Sequence, residues 1–202
     1  MIENKRIFIT GGAGFIGTSL ALRLAAANEI VIYDNLHRDA FKDSPIKDHP
    51  NVTLVVGDVM DGKALTKAGE DAQIVIHLAA IAGVDTVMRH PVQTMKVAMI
   101  GTQNALDLAQ SLPDLECFID FSTSEVFGSH AYRVGESDVT QLGAVGEARW
   151  TYAVSKLATE HLTLNYHKQY GLPALAVRPF NIYGPRQVGT GAVHHFIVRA
   201  LR

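Results

Sequence analysis

The sequence predicts an α/β protein with a Rossmann-like, doubly wound parallel sheet. Short apolar runs rich in β-branched residues alternate along the chain with longer segments of helical periodicity. The apolar runs are continuous, as in parallel strands that are covered by helices on both faces. A glycine-rich turn, GGAGFIG, joins the first apolar run to the first helical segment, as it does at the ligand edge of doubly wound sheets.

The alternation predicts six strands and five helices. The strands are expected at residues 6–10, 29–33, 52–56, 73–78, 115–121 and 175–178. The helices are expected at residues 14–27, 61–69, 91–109, 150–170 and from residue 192 onwards. The glycine-containing stretch 134–146 is expected to be a long loop.

Composition and charge argue against several functional classes. The 202 residues contain 18 Lys and Arg against 20 Asp and Glu, so a net charge of −2 offers no basic surface for nucleic acid or an anionic membrane. The start lacks the apolar run of a signal peptide, and the most apolar helix candidate, 14–27, contains Arg23. The single Cys117 cannot form an internal disulfide, so we expect a cytoplasmic protein. The nine histidines lack metal-ligand spacing with carboxylates or thiols, so no metal site is expected.

The turn after the first strand has the spacing of a dinucleotide-binding site. Gly12-x-Gly14-x-x-Gly17 and the variant Gly11-x-x-Gly14-x-x-Gly17 both fit between the first strand and the first helix. Glycines here permit a tight turn and let backbone N–H groups approach a pyrophosphate at the N-terminus of the helix. The residues expected to hold a cofactor in this turn are Gly11, Gly14, Phe15, Ile16 and Gly17.

An acidic residue follows the second strand. Asp34 comes 17 residues after Gly17, where a carboxylate accepts hydrogen bonds from the adenosine ribose and repels a 2′-phosphate, so the predicted cofactor is NAD. The simpler interpretation is that Asp34 only opens the following turn. Arg38 could tolerate a phosphate, but Asp34 is expected to dominate, and the mixed-charge segment 38–49 is expected to be a solvated loop.

The ends of further strands would complete the cofactor site, because ligands of doubly wound sheets bind at the carboxyl ends of the strands. Asp58 is a candidate partner for the adenine amino group. For His77 we favour a hydrogen-bonded histidine at a strand end over a catalytic one. The remaining cofactor contacts are expected from Asn35, Val59, Leu78, Ala79 and Ala80.

Residues after the fifth strand and in the fourth helix suggest redox chemistry. Thr123, Ser124 and Glu125 come soon after strand 115–121, and Tyr152 and Lys156 are four residues apart, so they share a helix face. A phenol with a pKa of about 10 is a poor base at neutral pH, and an adjacent ammonium lowers that pKa. Thr123 could hold a substrate alcohol while Tyr152 removes its proton and hydride leaves the same carbon for the nicotinamide. On spacing alone, a surface lysine beside a packed tyrosine is the more frequent arrangement.

Seven motifs, in order, resemble those of one family, the extended short-chain dehydrogenase/reductases, and within it the NAD-dependent nucleotide-sugar epimerases, dehydratases and decarboxylases. The motifs are TGGAGFIG from Thr10, DNL from Asp34, GDV from Gly57, HLAA from His77, STSEVFG from Ser122, YAVSK from Tyr152 and RPFNIYGPR from Arg178.

The resemblance implies roles for individual residues. Thr123, Tyr152 and Lys156 would be catalytic, and Lys156 would also hold the nicotinamide ribose. The stretch from Pro179 to Ile182 would pass the nicotinamide, and Asn181 would contact the diphosphate of a nucleotide sugar. The substrate contacts that the resemblance implies are Ser124, Asn181 and Arg186.

The resemblance also implies an organisation of the chain. Residues 1–178 would form the NAD-binding domain with its catalytic helix, and residues 179–202 would begin a substrate-binding region whose remainder is expected outside this chain. Helices 91–109 and 150–170 would form a homodimer interface. Ala98 departs from the family pattern, which commonly has an asparagine three residues before the Gly101-Thr102 pair.

The residues beside Thr123 bear on the reaction. The resemblance implies a shared step in which C4 of the sugar is oxidised to a ketone. The 4,6-dehydratases of dTDP-glucose have an aspartate where this chain has Ser124, whereas Thr-Ser-Glu and the ARWTYAVSK context resemble UDP-glucuronate decarboxylases. Glu125 could act at C5 or only order its loop. We therefore favour a UDP-glucuronate decarboxylase or a 4,6-dehydratase, the alternatives being a UDP-sugar 4-epimerase, a small-molecule alcohol or ketone reductase, and a non-catalytic NAD-binding protein.

Overall fold

The computed structural model describes residues 2–189 and 191–202. These residues contain six strands, which form one parallel sheet in the order β3-β2-β1-β4-β5-β6. The strands are β1 Arg6–Thr10, β2 Glu29–Asp34, β3 Val52–Val56, β4 Ile74–His77, β5 Cys117–Phe121 and β6 Ala174–Val177. The helices are α1 Phe15–Leu24, α2 Gly62–Gly69, α3 Val84–Arg89, α4 Pro91–Ser111, α5 Thr151–Tyr170 and α6 Ala192–Ala200. The predicted fold class is confirmed.

The strand residues are apolar in unbroken runs because both faces of the sheet are covered. Phe8 of β1 lies beside Val31 and Val75 in register, and these side chains pack with α2, α4 and α5 on one face. Their neighbours Ile7 and Ile9 point to the opposite face and pack with α1 and a short 3₁₀ helix, Pro45–Asp48. Successive residues of a strand point to opposite faces, so each residue of a doubly covered strand is buried in one core or the other.

The predicted first helix is too long at its C-terminus. Helix α1 ends at Leu24, whereas the periodicity predicts a helix to residue 27. Asn28 explains the early end: its side-chain amide donates to the carbonyl oxygens of Leu24, at 2.8 Å, and Ile2, at 2.9 Å, and its Oδ1 accepts from the backbone N–H of Lys5 at 3.0 Å. One side chain thus satisfies an orphan carbonyl of the helix end and ties it to the start of β1.

One helix was not predicted. Helix α3, Val84–Arg89, spans six residues and precedes α4, which begins at Pro91. Proline fits the first position of a helix and disfavours a helical conformation in the residue before it, so His90 separates two helices. A segment of six residues is too short for its helical periodicity to be recognised.

The strand order places the expected ligand-binding crevice at the carboxyl ends of the adjacent strands β1 and β4. The chain proceeds outward from β1 to β3 and then returns to the other side of β1 to form β4, β5 and β6. At such a reversal the loops after the strands diverge and leave a crevice at their carboxyl ends. The loops that carry the predicted cofactor and catalytic residues all follow strands at this edge.

The last helix has a different character from the others. Helix α6 is amphipathic but contains no buried residue, and its Phe196 and Ile197 are exposed. Across the described parts of the chain, no helix combines the length and the apolar character that a membrane crossing requires.

Candidate active site

A cleft of about 760 Å³ lies at the carboxyl ends of the strands. This is a usual size for a small-molecule or cofactor site. The predicted site residues that line it are Gly11, Gly14, Phe15, Ile16, Gly17, Asp34, Asn35, Asp58, Val59, Leu78, Ala79, Ala80, Thr123, Ser124, Glu125, Tyr152, Pro179 and Asn181. Lys156 and Arg186 are the two predicted residues that lie outside this lining.

The glycine turn forms a cradle that fits a pyrophosphate. Gly11 has a φ of +68°, and a Cβ there would lie 2.7 Å from the backbone nitrogen of Ala79. A Cβ at Gly17 would lie 2.5 Å from Cα of Gly12, so the helix and the turn touch backbone to backbone. Within the described chain no side chain caps α1, and its first-turn N–H groups remain available to an anion at the positive end of the helix dipole.

Asp34 both orders the turn and lines the cleft. Its Oδ2 accepts from the backbone N–H of Ala13 at 3.0 Å, and its Oδ1 accepts from the backbone N–H of Leu36 at 2.7 Å. Burial raises the pKa of this carboxyl, and the two backbone hydrogen bonds partly offset that rise. Because a carboxylate has about four acceptor sites, Asp34 retains acceptor capacity for ribose hydroxyls. The turn contacts therefore leave Asp34 free to bind a cofactor as predicted.

The loop after β3 is fixed by contacts with its neighbours. The hydroxyl of Tyr33 donates to the backbone carbonyl of Asp58 at 3.1 Å, and the side chain of Asn104 donates to the carbonyl of Val59 at 2.8 Å. Asp58 Oδ1 accepts from the backbone N–H of Met60 at 2.9 Å. These contacts hold Asp58 and Val59 against the cleft, where an adenine would lie in the predicted arrangement.

The catalytic candidates after β5 belong to a short 3₁₀ helix, Ser124–Phe127. Thr123 precedes it, and its Oγ1 accepts from the backbone N–H of Glu125 at 3.3 Å. The backbone N–H of Ser124 donates to the carbonyl of Pro179 at 3.0 Å. The loop that presents Thr123, Ser124 and Glu125 is thus connected to the segment after β6 that would pass the nicotinamide.

Tyr152 lies in the same cleft, but its pKa differs from the expectation drawn from helix spacing. Burial, together with the charges of Glu125 and Asp120, raises the pKa of Tyr152 to about 12. The spacing predicts that Lys156 would lower it instead. Lys156 is buried and donates from Nζ to Asp120 Oδ1 at 3.2 Å, so a carboxylate already partners its positive charge.

Asp120 is a buried acid that sequence reasoning missed. It lies in β5, where the run CFIDF is otherwise apolar, and its solvent exposure is 0%. A lone aspartate within a strand that is covered on both faces was the available signal, because a buried charge requires a partner. Its partner is 36 residues away in the sequence, which no local spacing rule detects.

Two arginines near the cleft make contacts that the sequence did not predict. Arg38 donates from Nη2 to the carbonyl of Ala82 at 2.7 Å and lines the cleft, so it is more than part of a solvated loop. Arg178 donates through Nε to Glu160 Oε1 and Oε2 at 3.0 and 3.1 Å, and its Nη2 lies 2.6 Å from Oε1. It also lies over the ring of Phe127, 4.8 Å from the ring centre. Arg178 therefore joins α5 to the loop after β5.

His77 has the structural role favoured from the sequence. It is fully buried, its Nδ1 is 2.7 Å from Thr10 Oγ1 and its Nε2 is 3.1 Å from Thr102 Oγ1. Burial, with a smaller effect of the Lys156 charge, lowers the pKa of His77 to about 3. The ring is therefore neutral at physiological pH and joins β1, β4 and α4.

Of the three predicted substrate contacts, Ser124 and Asn181 line the cleft and Arg186 does not. Arg186 has a left-handed backbone, with a φ of +63°. Ala98 is buried inside α4. Within residues 2–189 and 191–202, no three or more His, Cys, Asp or Glu side chains are grouped to hold a metal ion.

A parallel sheet with this glycine turn, an acid after β2 and a tyrosine in the same cleft defines an NAD-binding protein of the dehydrogenase/reductase type. Residues 7–202 match the model of the NAD-dependent epimerase/dehydratase family, and the chain belongs to that family. Membership confirms the resemblance found in the sequence, and NAD is the cofactor of the family.

Similar proteins act on nucleotide sugars. A UDP-N-acetyl-alpha-D-glucosaminuronate decarboxylase of Bacillus cytotoxicus is 37% identical over 98% of this chain and 62% of its own length. UDP-glucuronic acid decarboxylase 6 of Arabidopsis thaliana is 35% identical over 99% of this chain and 58% of its own length. The crystal structure of UDP-glucuronic acid 4-epimerase from Bacillus cereus with UDP-glucuronic acid and NAD has a TM-score of 0.84 at 31% identity, over 97% of this chain and 63% of that one. The chain thus spans about three fifths of these proteins.

Proposed function

We propose that the protein is an NAD-dependent decarboxylase of a UDP-linked uronic acid, which acts through a 4-keto sugar. The observation that supports this most strongly is one cleft that contains a dinucleotide cradle together with Thr123, Ser124, Glu125 and Tyr152. Ser124 stands where the dTDP-glucose 4,6-dehydratases are expected to have an aspartate that protonates a leaving hydroxyl. Similarity to two decarboxylases over almost the whole chain supports the same reaction.

Different residues of the cleft would bind different parts of the cofactor. The N–H groups at the start of α1 would hold the pyrophosphate, and Asp34 would accept the adenosine ribose hydroxyls. Bound NAD would supply a hydride acceptor for C4 and return the hydride at the end of the cycle. Lys156 would hold the nicotinamide ribose, as the family resemblance implies.

The reaction chemistry then follows from the cleft residues. Tyr152 accepts the proton of the C4 hydroxyl, and Thr123 orients that hydroxyl by a hydrogen bond. The resulting ketone lies β to the carboxylate carried on C5, so the bond from C5 to the carboxylate breaks and carbon dioxide leaves. The electron pair remains as an enolate, C5 regains a proton, and Glu125 is our candidate for that proton transfer. Tyr152 returns its proton to the oxygen on C4 when the ketone is reduced again.

The test is product analysis with the full-length protein. It would be incubated with UDP-glucuronate, UDP-N-acetylglucosaminuronate, UDP-glucose and dTDP-glucose, and the products would be read by mass spectrometry. We expect a uronate to lose carbon dioxide and to yield the corresponding UDP-pentose. Conversion of dTDP-glucose or UDP-glucose with loss of water would instead identify a 4,6-dehydratase. If no substrate yields a product or a transient NADH absorbance, the proposal fails.

A 4-epimerase is the second candidate. The similarity to the Bacillus cereus UDP-glucuronic acid 4-epimerase favours it, because that structure covers 97% of this chain. Epimerisation leaves the mass of the sugar unchanged, so chromatography of the UDP-glucuronate reaction would distinguish it from decarboxylation. A small-molecule reductase would instead consume added NADH in stoichiometric amounts without any nucleotide, and a non-catalytic protein would bind NAD without turnover.

We also propose that α4 and α5 form a homodimer interface and that residue 179 begins the substrate-binding region. The two helices pack side by side and expose apolar side chains, which a second copy would cover. These side chains are Met99, Ile100, Val154 and Leu164. A monomeric mass in solution for the full-length protein would overturn the dimer.

A further inference from the structure

Asp120 and Lys156 form a buried ion pair next to the cleft. Asp120 lies in β5, faces the same side of the sheet as Phe118, and is the register partner of His77 in β4. Lys156 extends from α5, with its Nζ 3.2 Å from Asp120 Oδ1. The exposure of the two side chains is 0% for Asp120 and 2% for Lys156. Solvent therefore does not screen this pair, and each charge depends on the other.

The second oxygen of Asp120 has no partner in the described structure. Oδ2 is buried and forms no hydrogen bond with any residue of the ranges 2–189 and 191–202. Leaving a buried carboxylate oxygen unpaired costs free energy, so this arrangement is not the best solution for packing alone. A strand that needed only packing would have an apolar side chain at this position, as its neighbours do.

The other ionisable groups near the pair are Glu160, His77, Glu125 and Tyr152. Glu160 of α5 faces Asp120, but Arg178 holds it in a bidentate ion pair. His77 is neutral, because its pKa is about 3. Glu125 and Tyr152 complete the set, since Tyr152 is influenced by the charges of Glu125 and Asp120. Lys156 is paired with Asp120, and Tyr152 lies four residues earlier on the same face of α5, so the Tyr152 phenolate is the second candidate partner for the ammonium.

We propose that Asp120 is a positioning residue for Lys156: it holds the ammonium group next to the cleft and competes with the Tyr152 phenolate for its positive charge. Asp120 touches neither substrate nor cofactor in this role. Its carboxylate pairs with the Lys156 ammonium where the side chains of both residues are shielded from solvent. It also keeps Tyr152 protonated until a further positive charge enters the cleft. The proposal uses the assignment of Tyr152 as the base in the proposed function, but not the identity of the sugar.

The charge competition predicts the effect of removing the carboxylate. In Asp120→Asn, the amide oxygen can still accept a hydrogen bond from Lys156, while the carboxylate that competes with the Tyr152 phenolate is gone. The Tyr152 phenol should then lose its proton at a pH about one to three units lower than in the wild type. Asp114→Asn is the matched control, since Asp114 is exposed in the loop before β5 and the substitution makes the same change in net charge.

The experiment is a titration of the phenolate by ultraviolet difference absorbance in the full-length protein without substrate. Each variant would be compared with the same variant carrying Tyr152→Phe, so that the other tyrosines cancel. We expect a lower midpoint in Asp120→Asn, an unchanged midpoint in Asp114→Asn, and a midpoint close to wild type in Asp120→Glu, which restores the charge. In an active protein, the acidic limb of the kcat/KM profile should shift in the same direction.

Two results would overturn the proposal. An unchanged or higher midpoint in folded Asp120→Asn would show that Asp120 does not compete with Tyr152 for the charge of Lys156. Asp120→Thr is a second charge-free variant for the case in which the amide does not fold. If both variants are unfolded by circular dichroism, Asp120 is a structural residue. Because the titration needs no substrate, its outcome is separate from success or failure of the proposed decarboxylation.

Discussion

The close contact between α1 and the glycine turn can be tested by adding a single methyl group. In Gly17→Ala, the new Cβ would lie 2.5 Å from Cα, 2.7 Å from the carbonyl oxygen and 2.8 Å from the carbonyl carbon of Gly12. All three atoms belong to the backbone, so no side chain can rotate to make room. The turn and the helix must therefore separate by about 1 Å to restore an ordinary carbon contact.

The sign of the stability change depends on two opposing effects. Alanine is a better helix former than glycine, which alone would stabilise α1 by about 1 kcal/mol. Overpacking against immobile atoms costs about 3 kcal/mol at the upper end of the usual range. The steric effect should win by about 2 kcal/mol, which lowers the melting temperature by about 4–8 °C in a chain of this size. Separation of the turn from α1 should also weaken NAD binding by at least about tenfold, or 1.4 kcal/mol.

Thermal unfolding by circular dichroism and calorimetric titration with NAD would measure the two effects in the full-length protein. Gly14→Ala separates them, because a Cβ there meets only the carbonyl oxygen of Gly11, at 3.2 Å, and otherwise faces open space. It should weaken NAD binding but change stability by less than about 1 kcal/mol. Gly135→Ala, in an exposed loop, should change neither. Wild-type stability and NAD affinity in Gly17→Ala would refute the inferred close packing.

Three further predictions follow from the buried polar groups. Asp34→Asn should weaken NAD binding by about 1.5–3 kcal/mol through loss of charged hydrogen bonds and should reduce the preference for NAD over NADP in calorimetric titrations; an unchanged preference would contradict this role. His77 is neutral when folded, with a pKa of about 3, so its contribution is complete above the unfolded pKa and is lost as the pH falls. Between about pH 6.5 and 3, the lowered pKa of His77 should reduce the free energy of unfolding by about 1.4 kcal/mol per pH unit. His77→Asn should show a shallower fall of that free energy with pH when unfolding by urea is measured. Arg178→Met should destabilise the protein by about 3–5 kcal/mol, because it leaves Glu160 buried without its partner; a loss below about 1 kcal/mol would contradict that.

The fold was predictable because its determinants are local. The bounds of β1 and β3 match the prediction, since each is an apolar run flanked by residues that end a strand. The glycine turn identifies the ligand edge because only small residues allow the backbone contacts seen at Gly11 and Gly17. The early end of α1 was not predictable in the same way, since it depends on Asn28 reaching back to Ile2 and Lys5.

The candidate site was predictable only in part, for a related reason. The candidate residues that follow strands line one cleft, because the carboxyl ends of parallel strands share one edge. The surroundings of Lys156 could not be predicted, since its partner Asp120 comes from another element. Helix spacing gives the face on which a side chain lies but not the charge that faces it across the sheet. The raised pKa of Tyr152 is a consequence of such contacts.

The buried charges near the cleft together explain why the Tyr152 phenol keeps its proton in this structure. Arg178 and Glu160 form one neutral pair, Lys156 and Asp120 form another, and His77 is held uncharged. Proton transfer within either ion pair would remove the charges that hold its two side chains together. The charges of Glu125 and Asp120 and the burial of the Tyr152 phenol keep its proton in place. If Tyr152 is the base, as proposed above, a positively charged nicotinamide in the cleft would offset these carboxylates and favour loss of that proton.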